Sequence, residues 1–277
     1  MKQAISLLIT APTDYSRRFL DAIKACNREG KVAFSPICIP MIETVIREGA
    51  PALSAFMGKI NSYDYVVFTS RKAVDSMAIT LQHGHVSLPQ EAGYLAIGKD
   101  IEWMKDRLGV APRFIAREPS PMGIVKELKE RHALGSTRIA VLGPQVKGLR
   151  EPETVPAFLR ALNAIGCEVD FIPAYLTRGA SAQACGQVKD LLYRHAIRCI
   201  ALTSGAEAEV VRQILDSLDA SSHPLENTVI TSMGPYTTRC AQQVGLPISF
   251  TSSQFGSFLA YAHSLQDYFL SLNTIST

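Results

Sequence analysis

The chain has 277 residues, 47% hydrophobic and 19% charged, enough for one large or two ordinary domains with a sizeable core. A formal net charge of +3 is too mild to point to nucleic acid, but it suits a small polyanionic ligand. No run reaches the roughly 18 apolar residues that a membrane span needs, and none of the six cysteines (26, 38, 167, 185, 199 and 240) forms a C-x-x-C pair, so they read as reduced core thiols.

In chain order, Ala4 to Thr10 reads as a first strand and not a secretory segment, because Pro12 and the polar Thr13-Asp14 follow at once with no cleavage pattern. Tyr15 to Asn27 is a helix with Phe19, Leu20 and Ile23 on one face, stopped by Gly30. Val32 to Ile39 is extended and carries Pro36, which places it at an edge or between domains; Ile42 to Ile60 reads as loosely helical. Tyr65 to Phe68 is a buried strand followed by Thr69-Ser70 and a helix near Lys72 to Leu81. Then come a loop, a strand at Gly93 to Ile97, Gly98, a helix at Asp100 to Leu108 and a short strand at Arg113 to Ala116. Ser120 is the N-cap and Pro121 the N1 residue of a helix reaching about Arg131.

Arg138 to Leu142 begins a second series. A helix from Val155 to Ile165, an extended stretch from Val169 to Leu176 and a helix from Gln183 to His195 come next. Cys199 to Leu202 is a strand and Ala206 to Leu218 a helix; Thr228 to Ser232 is a strand, with Gly234 and a helix at Thr237 to Val244 after it. Ile248 to Phe250 is the last strand and Phe255 to Phe269 the closing helix.

The second series echoes the first. Thr69-Ser70 returns as Thr203-Ser204, Pro36 as Pro173, Ile97-Gly98 as Met233-Gly234, Leu108-Gly109-Val110 as Val244-Gly245-Leu246, and the Ser120…Gly123 pair as Ser253…Gly256, with Gly30-Lys31-Val32 matched by Gly166-Cys167-Glu168-Val169. Several matches in order at nearly constant spacing indicate two copies of one α/β unit. Alternating strands and helices imply parallel sheets covered on both faces, with ligands gathering at the carboxyl ends of the strands. Those ends hold Thr69-Ser70, Gly98-Lys99, Ser120, Gly143, Thr203-Ser204, Gly234 to Thr238 and Ser252-Ser253: hydroxyls and glycines, with few acids. The hydroxyl pairs also read as plain helix caps, and the two readings are compatible.

On Val67-Phe68-Thr69-Ser70 with Ala73-Val74, Pro173-Ala174-Tyr175, Leu202-Thr203-Ser204 and Gly234-Pro235-Tyr236-Thr237, the chain resembles the uroporphyrinogen-III synthase family over nearly its full length. The resemblance implies two flavodoxin-like lobes with parallel sheets joined by a two-stranded connector: residues 1–36 and 176–277 in one lobe, 38–174 in the other, connectors near 34–39 and 171–177. It further implies a cofactor-free lyase. Such an enzyme cyclises hydroxymethylbilane with inversion of the terminal pyrrole and loss of water, through an azafulvene cation and a spiro intermediate.

Tyr175 would assist hydroxide departure. Thr69, Ser70, Arg71, Gly98, Lys99, Thr203, Ser204, Gly234, Tyr236, Thr237 and Thr238 would hold substrate carboxylates. The expected protein is a cytoplasmic monomer, with direct transfer from hydroxymethylbilane synthase as an option. Ala11, Ile101, Glu207 and the loop carrying Pro152 and Pro156 depart from the family pattern, and motivate an alternative in which the fold binds a tetrapyrrole or other anion without turnover.

Other chemistries lack support. Gly143 to Gly148 does not follow the P-loop order, and neither G-x-G-x-x-G nor G-x-S-x-G occurs. His83-Gly84-His85 has no third ligand at a metal-site spacing, so no metal is expected.

Overall fold

The computed structural model describes residues 4–29, 32–46, 49–84, 87–131, 137–150, 153–219 and 223–275. Gly30, Lys31, His85 and Pro152, singled out above, lie outside the described residues. The chain divides into two compact units, one of residues 1–43, 147–152 and 178–277, the other of residues 44–146 and 153–177.

In the first unit, strands β1 (Ile5–Ile9), β2 (Phe34–Cys38), β8 (Cys199–Leu202), β9 (Val229–Ser232) and β10 (Ile248–Thr251) form a parallel sheet of order β2-β1-β8-β9-β10. Counted within the unit this is 2-1-3-4-5, the flavodoxin-like order, with its switch point between β1 and β8. Side chains alternate along each strand. Leu8, Ile200, Leu202 and Ile230 join the core under helices α7 (Ala182–Tyr193), α8 (Gly205–Asp216) and α9 (Pro235–Gln243). Leu7, Ile9, Cys199 and Ala201 face α1 (Thr13–Glu29) and α10 (Phe258–Ile275), where Phe19 stacks on Tyr261 at 5.2 Å. Pro36 pairs with Leu7 in β2, the edge strand, where its missing N–H costs no ladder bond.

The second unit is built on β4 (Tyr65–Phe68), β5 (Gly93–Ala96), β6 (Arg138–Lys147) and β7 (Glu168–Gly179), with β3 (Ile42–Ile46) beside β7 in a sheet of order β5-β4-β6-β7-β3. Its other elements are α2 (Pro51–Met57), a 3-10 turn (Ile60–Ser62), α3 (Arg71–Gly84), α4 (Asp100–Leu108), α5 (Pro121–Glu130) and α6 (Thr154–Ala164). Val66, Phe68, Ala140 and Leu142 pack with residues of α2, α3 and α4; Val67, Ile139, Val141 and Leu95 pack with residues of α5 and α6.

Two expected elements differ. Ile42 to Ile60 is not one helix: Ile42-Glu43-Thr44-Val45-Ile46 is rich in β-branched residues and forms a strand, and Pro51 at N1 starts a separate helix. No strand forms at Arg113 to Ala116. Pro112 makes one isolated bridge to Tyr94, and Ile115 is 61% exposed, so the segment has no second face to bury.

Candidate functional site

The sequence-predicted residues fall into two sets, one on each unit, all at or just beyond carboxyl ends of strands except Tyr175, which lies within β7.

In the second unit Thr69 and Ser70 link β4 to α3. Thr69 donates both its N–H (3.1 Å) and its hydroxyl (2.9 Å) to the Leu142 carbonyl at the neighbouring strand. Gly143 permits this approach, since a Cβ there would lie 3.1 Å from Thr69 Oγ1 and 3.0 Å from the Phe171 ring. Ser70 accepts from the Ala73 N–H at 3.3 Å and donates to the Tyr175 hydroxyl at 2.9 Å. Tyr175 is 8% exposed, and its ring belongs to the core while its hydroxyl reaches the strand-end turn. Ser70 and Tyr175, 105 residues apart, are therefore one hydrogen-bonded pair.

Arg71 is held by Asp100 at 2.8 Å and lies over the Trp103 ring, whose N–H goes to Asp75 at 2.8 Å. Gly98 has φ +53°, a left-handed conformation that glycine adopts without steric cost, and Pro119 packs against it. Lys99 is the N-cap of α4, exposed and with no side-chain cap bond. Ile101, which stands where a hydroxyl would mirror Thr237, is 4% exposed and packs in the core.

In the first unit α9 begins at Gly234, which is buried and extended, with Pro235 at N1. Thr237 is 8% exposed and donates to the Thr203 carbonyl at 3.2 Å. Thr238 Oγ1 lies 2.5 Å from Ser232 Oγ and 2.7 Å from Thr251 Oγ1, so three hydroxyls from β9, α9 and β10 meet in one cluster. Tyr236 lies in the same first turn. Ser232 and Thr251 belong to no motif in the sequence; their place at the ends of β9 and β10 is the signal that marks them.

Thr203 and Ser204 serve a different partner. The Thr203 N–H (2.8 Å) and Thr10 Oγ1 (2.6 Å) meet Glu207 Oε2, while Thr203 Oγ1 (2.6 Å) and Ser204 Oγ (2.9 Å) meet Oε1. Glu207 is fully buried. Burial pushes its carboxyl above the ordinary glutamate range, while the bonds from Thr10, Thr203 and Ser204 pull it down.

A carboxyl whose folded pKa is raised binds its proton more tightly folded than unfolded. Its contribution to stability is present below the unfolded value of about 4.3 and lost as pH rises through the folded value. Glutamine has no such dependence. The melting temperature of Glu207→Gln relative to the native protein is therefore expected to rise from pH 4 to pH 8 in thermal denaturation; a relative fall would contradict this sign.

The charge at the four helix starts separates them further. The first turn of α4 carries Asp100 and Glu102, and that of α8 carries Glu207, whereas those of α3 and α9 carry no acid. A helix N-terminus without an acid keeps its N–H groups and positive dipole end available to an incoming carboxylate. Each unit thus presents one receptive and one self-neutralised helix start among these four.

Compared with known proteins, the family described as Uroporphyrinogen-III synthase HemD matches residues 24–257. No curated protein matches. Among solved structures, a mutant uroporphyrinogen III synthase from the extremely thermophilic bacterium Thermus thermophilus is 16% identical, covering 95% of this chain and 100% of that one, with a TM-score of 0.60. A second crystal form, of the wild-type Thermus protein, is 16% identical over 96% of this chain and 99% of that one, with a TM-score of 0.48. The first of these likenesses shows the fold.

Proposed function

The chain belongs to the uroporphyrinogen-III synthase family, and from that premise we propose how its residues carry out the cyclisation. The protein is a cyclising lyase of haem biosynthesis. The linear hydroxymethylbilane loses the hydroxyl of its hydroxymethyl group, and a pyrrole carbon attacks the resulting azafulvene cation. The spiro intermediate rearranges to the ring with the last pyrrole inverted; the departing hydroxide leaves as water.

The substrate carries eight carboxylates and its pyrroles are intrinsically nucleophilic, so the principal demand on the protein is to hold the chain in a reactive conformation. The observation that supports our assignment is the contrast among the helix starts: the first turns of α3 and α9 carry no acid, and the hydroxyls beside them are held in place by Leu142, Tyr175 and Thr203. We assign carboxylate binding to Thr69, Ser70 and Arg71 on one unit, and to Gly234, Tyr236, Thr237 and Thr238 on the other. Gly98 and Lys99 add a backbone approach and a cation, although the acids of α4 weaken that helix start. Thr203 and Ser204 contribute indirectly, through the Thr203 carbonyl that seats Thr237, since their hydroxyls and the Thr203 N–H serve Glu207.

Tyr175 is the donor to the departing hydroxide. Its oxygen accepts from Ser70, and such a chain polarises the phenolic O–H toward the next acceptor. We place the protein in the cytoplasm, a reducing compartment, which suits six cysteines that read as reduced core thiols. A monomer that takes hydroxymethylbilane directly from its synthase completes the proposal; no described helix is long and apolar enough to cross a membrane.

Thr237→Ala and Tyr175→Phe each remove one hydrogen-bonding hydroxyl, worth about 1 kcal/mol, and are expected to lower kcat/KM about fivefold each. Steady-state formation of the type III ring measures both. Rates equal to the native protein's would remove the residue concerned from the mechanism.

A further inference from the structure

In sheets of this order ligands bind in the crevice where the strand order reverses, beyond the carboxyl ends. In the first unit that crevice lies between β1 and β8, and the side chains at its mouth are Thr10 and Thr203. It is filled by the chain's own carboxyl, that of Glu207, with polar groups from Thr10, Thr203 and Ser204 on both oxygens. A glutamate three residues after a serine N-cap is a capping-box residue, which accounts for its approach to Ser204. It does not account for full burial, nor for a hydroxyl arriving from Thr10, 197 residues away. The corresponding residue of the second unit is Ala73, whose N–H goes to the Ser70 hydroxyl. The two copies have diverged at this position: the first unit carries an internal carboxylate, the second does not.

We propose that Glu207 is a positioning residue for the reaction. Its carboxyl occupies the first unit's switch-point crevice, ties Thr10 to the Thr203–Ser204 turn, and thereby fixes the Thr203 carbonyl on which Thr237 seats its hydroxyl. The crevice is closed to substrate carboxylates, which are received instead at the start of α9. Thr203 joins the two ends of this chain of contacts. Its N–H and hydroxyl hold the glutamate, while its carbonyl holds Thr237, so a change at the glutamate is transmitted through one residue. Burying a charged or polar group without partners is costly. Here each carboxyl oxygen has two polar neighbours, which makes the arrangement a built site and not a tolerated defect. The inference rests on the reading of Thr237 as a substrate contact.

The test is a double-mutant cycle of Glu207→Ala and Thr237→Ala, with formate as a probe for the vacated carboxyl position. Glu207→Ala is expected to raise the KM for hydroxymethylbilane about fivefold, no more than loss of the Thr237 hydroxyl itself, with kcat changed less than about twofold. In the Thr237→Ala background the same change is expected to alter KM by less than about twofold, because the residue through which it acts is already gone. Sodium formate, compared with sodium chloride at equal ionic strength, is expected to raise the melting temperature of Glu207→Ala and restore its KM, leaving the native protein unmoved.

KM effects that multiply in the double variant, or formate acting on native and variant protein alike, would overturn the proposal. If Glu207→Ala does not fold, Glu207→Gln takes its place in the cycle. Its amide oxygen accepts from the Thr203 N–H while its NH2 faces hydroxyls able to accept, and non-additivity with Thr237→Ala is again the expected result. The formate-dependent melting shift needs no substrate. A native protein that makes no type III ring would therefore sink the functional reading alone, and additive kinetics in an active enzyme would sink only the positioning role.

Discussion

Gly234→Ala is expected to lower kcat/KM by about 10- to 100-fold while the protein remains folded. Gly234 is the N-cap of α9, buried and extended, so its backbone angles are open to any residue. The constraint is space. A Cβ there would lie 2.7 Å from Phe255 Cβ and 3.1 Å from its Cγ, atoms too close to the main chain to swing aside. Either the segment carrying Phe255 or the first turn of α9 must shift, and that turn holds Tyr236, Thr237 and Thr238. Overpacking of this kind costs about 1–3 kcal/mol, and a displacement of about 1 Å at a positioning residue is enough for a roughly 100-fold loss of rate. Phe255 is 36% exposed, so much of the strain is relieved outward and the melting temperature should fall only modestly. Kinetics and thermal denaturation of the same preparation separate the two effects. A native kcat/KM would show that the start of α9 does not touch the substrate.

Gly123→Ala should be the most damaging substitution for stability, costing about 3 kcal/mol or more. Ser120 caps α5 by accepting from the Gly123 N–H at 3.0 Å, and its own N–H donates to the Glu118 carbonyl at 2.8 Å. This folds the Glu118 carbonyl over the first turn of the helix, where an added Cβ at Gly123 would overlap the Glu118 oxygen. The obstacle is backbone, which no rotamer change relieves. The turn is also pinned from the other side, since Pro119 packs against Gly98. Chemical denaturation is expected to show a lowered midpoint. An unchanged midpoint would mean that the turn yields without cost.

The repeated strand–hydroxyl–helix pattern was legible because it rests on local rules: β-branched strands, serine caps and glycine stops at matched offsets. Ser70, Ser120 and Ser204 are side-chain caps, each accepting from the N–H three residues on. Tyr175 as a partner of Ser70 was not legible, since 105 residues separate them and only the sheet order brings them together. Ile42 to Ile46 misled because a short apolar run has no period long enough to distinguish strand from helix. Glu207 shows the other limit. Its spacing from Ser204 marks an ordinary capping box on a solvated helix start, and nothing local reveals that Thr10 closes over it. The sequence marked Glu207 as a departure from the family pattern, and the structure adds that its carboxyl decides what Thr203 and Ser204 do.

The central claim is that this chain, holding its substrate at hydroxyl-rich helix starts, directs closure to one ring isomer. Unassisted closure of hydroxymethylbilane gives the type I ring. The decisive measurement is the isomer composition of product formed when purified protein acts on freshly generated hydroxymethylbilane, separated after oxidation to the porphyrins. The account predicts type III as the dominant isomer, formed faster than unassisted closure. Type I alone, at the unassisted rate, would contradict it.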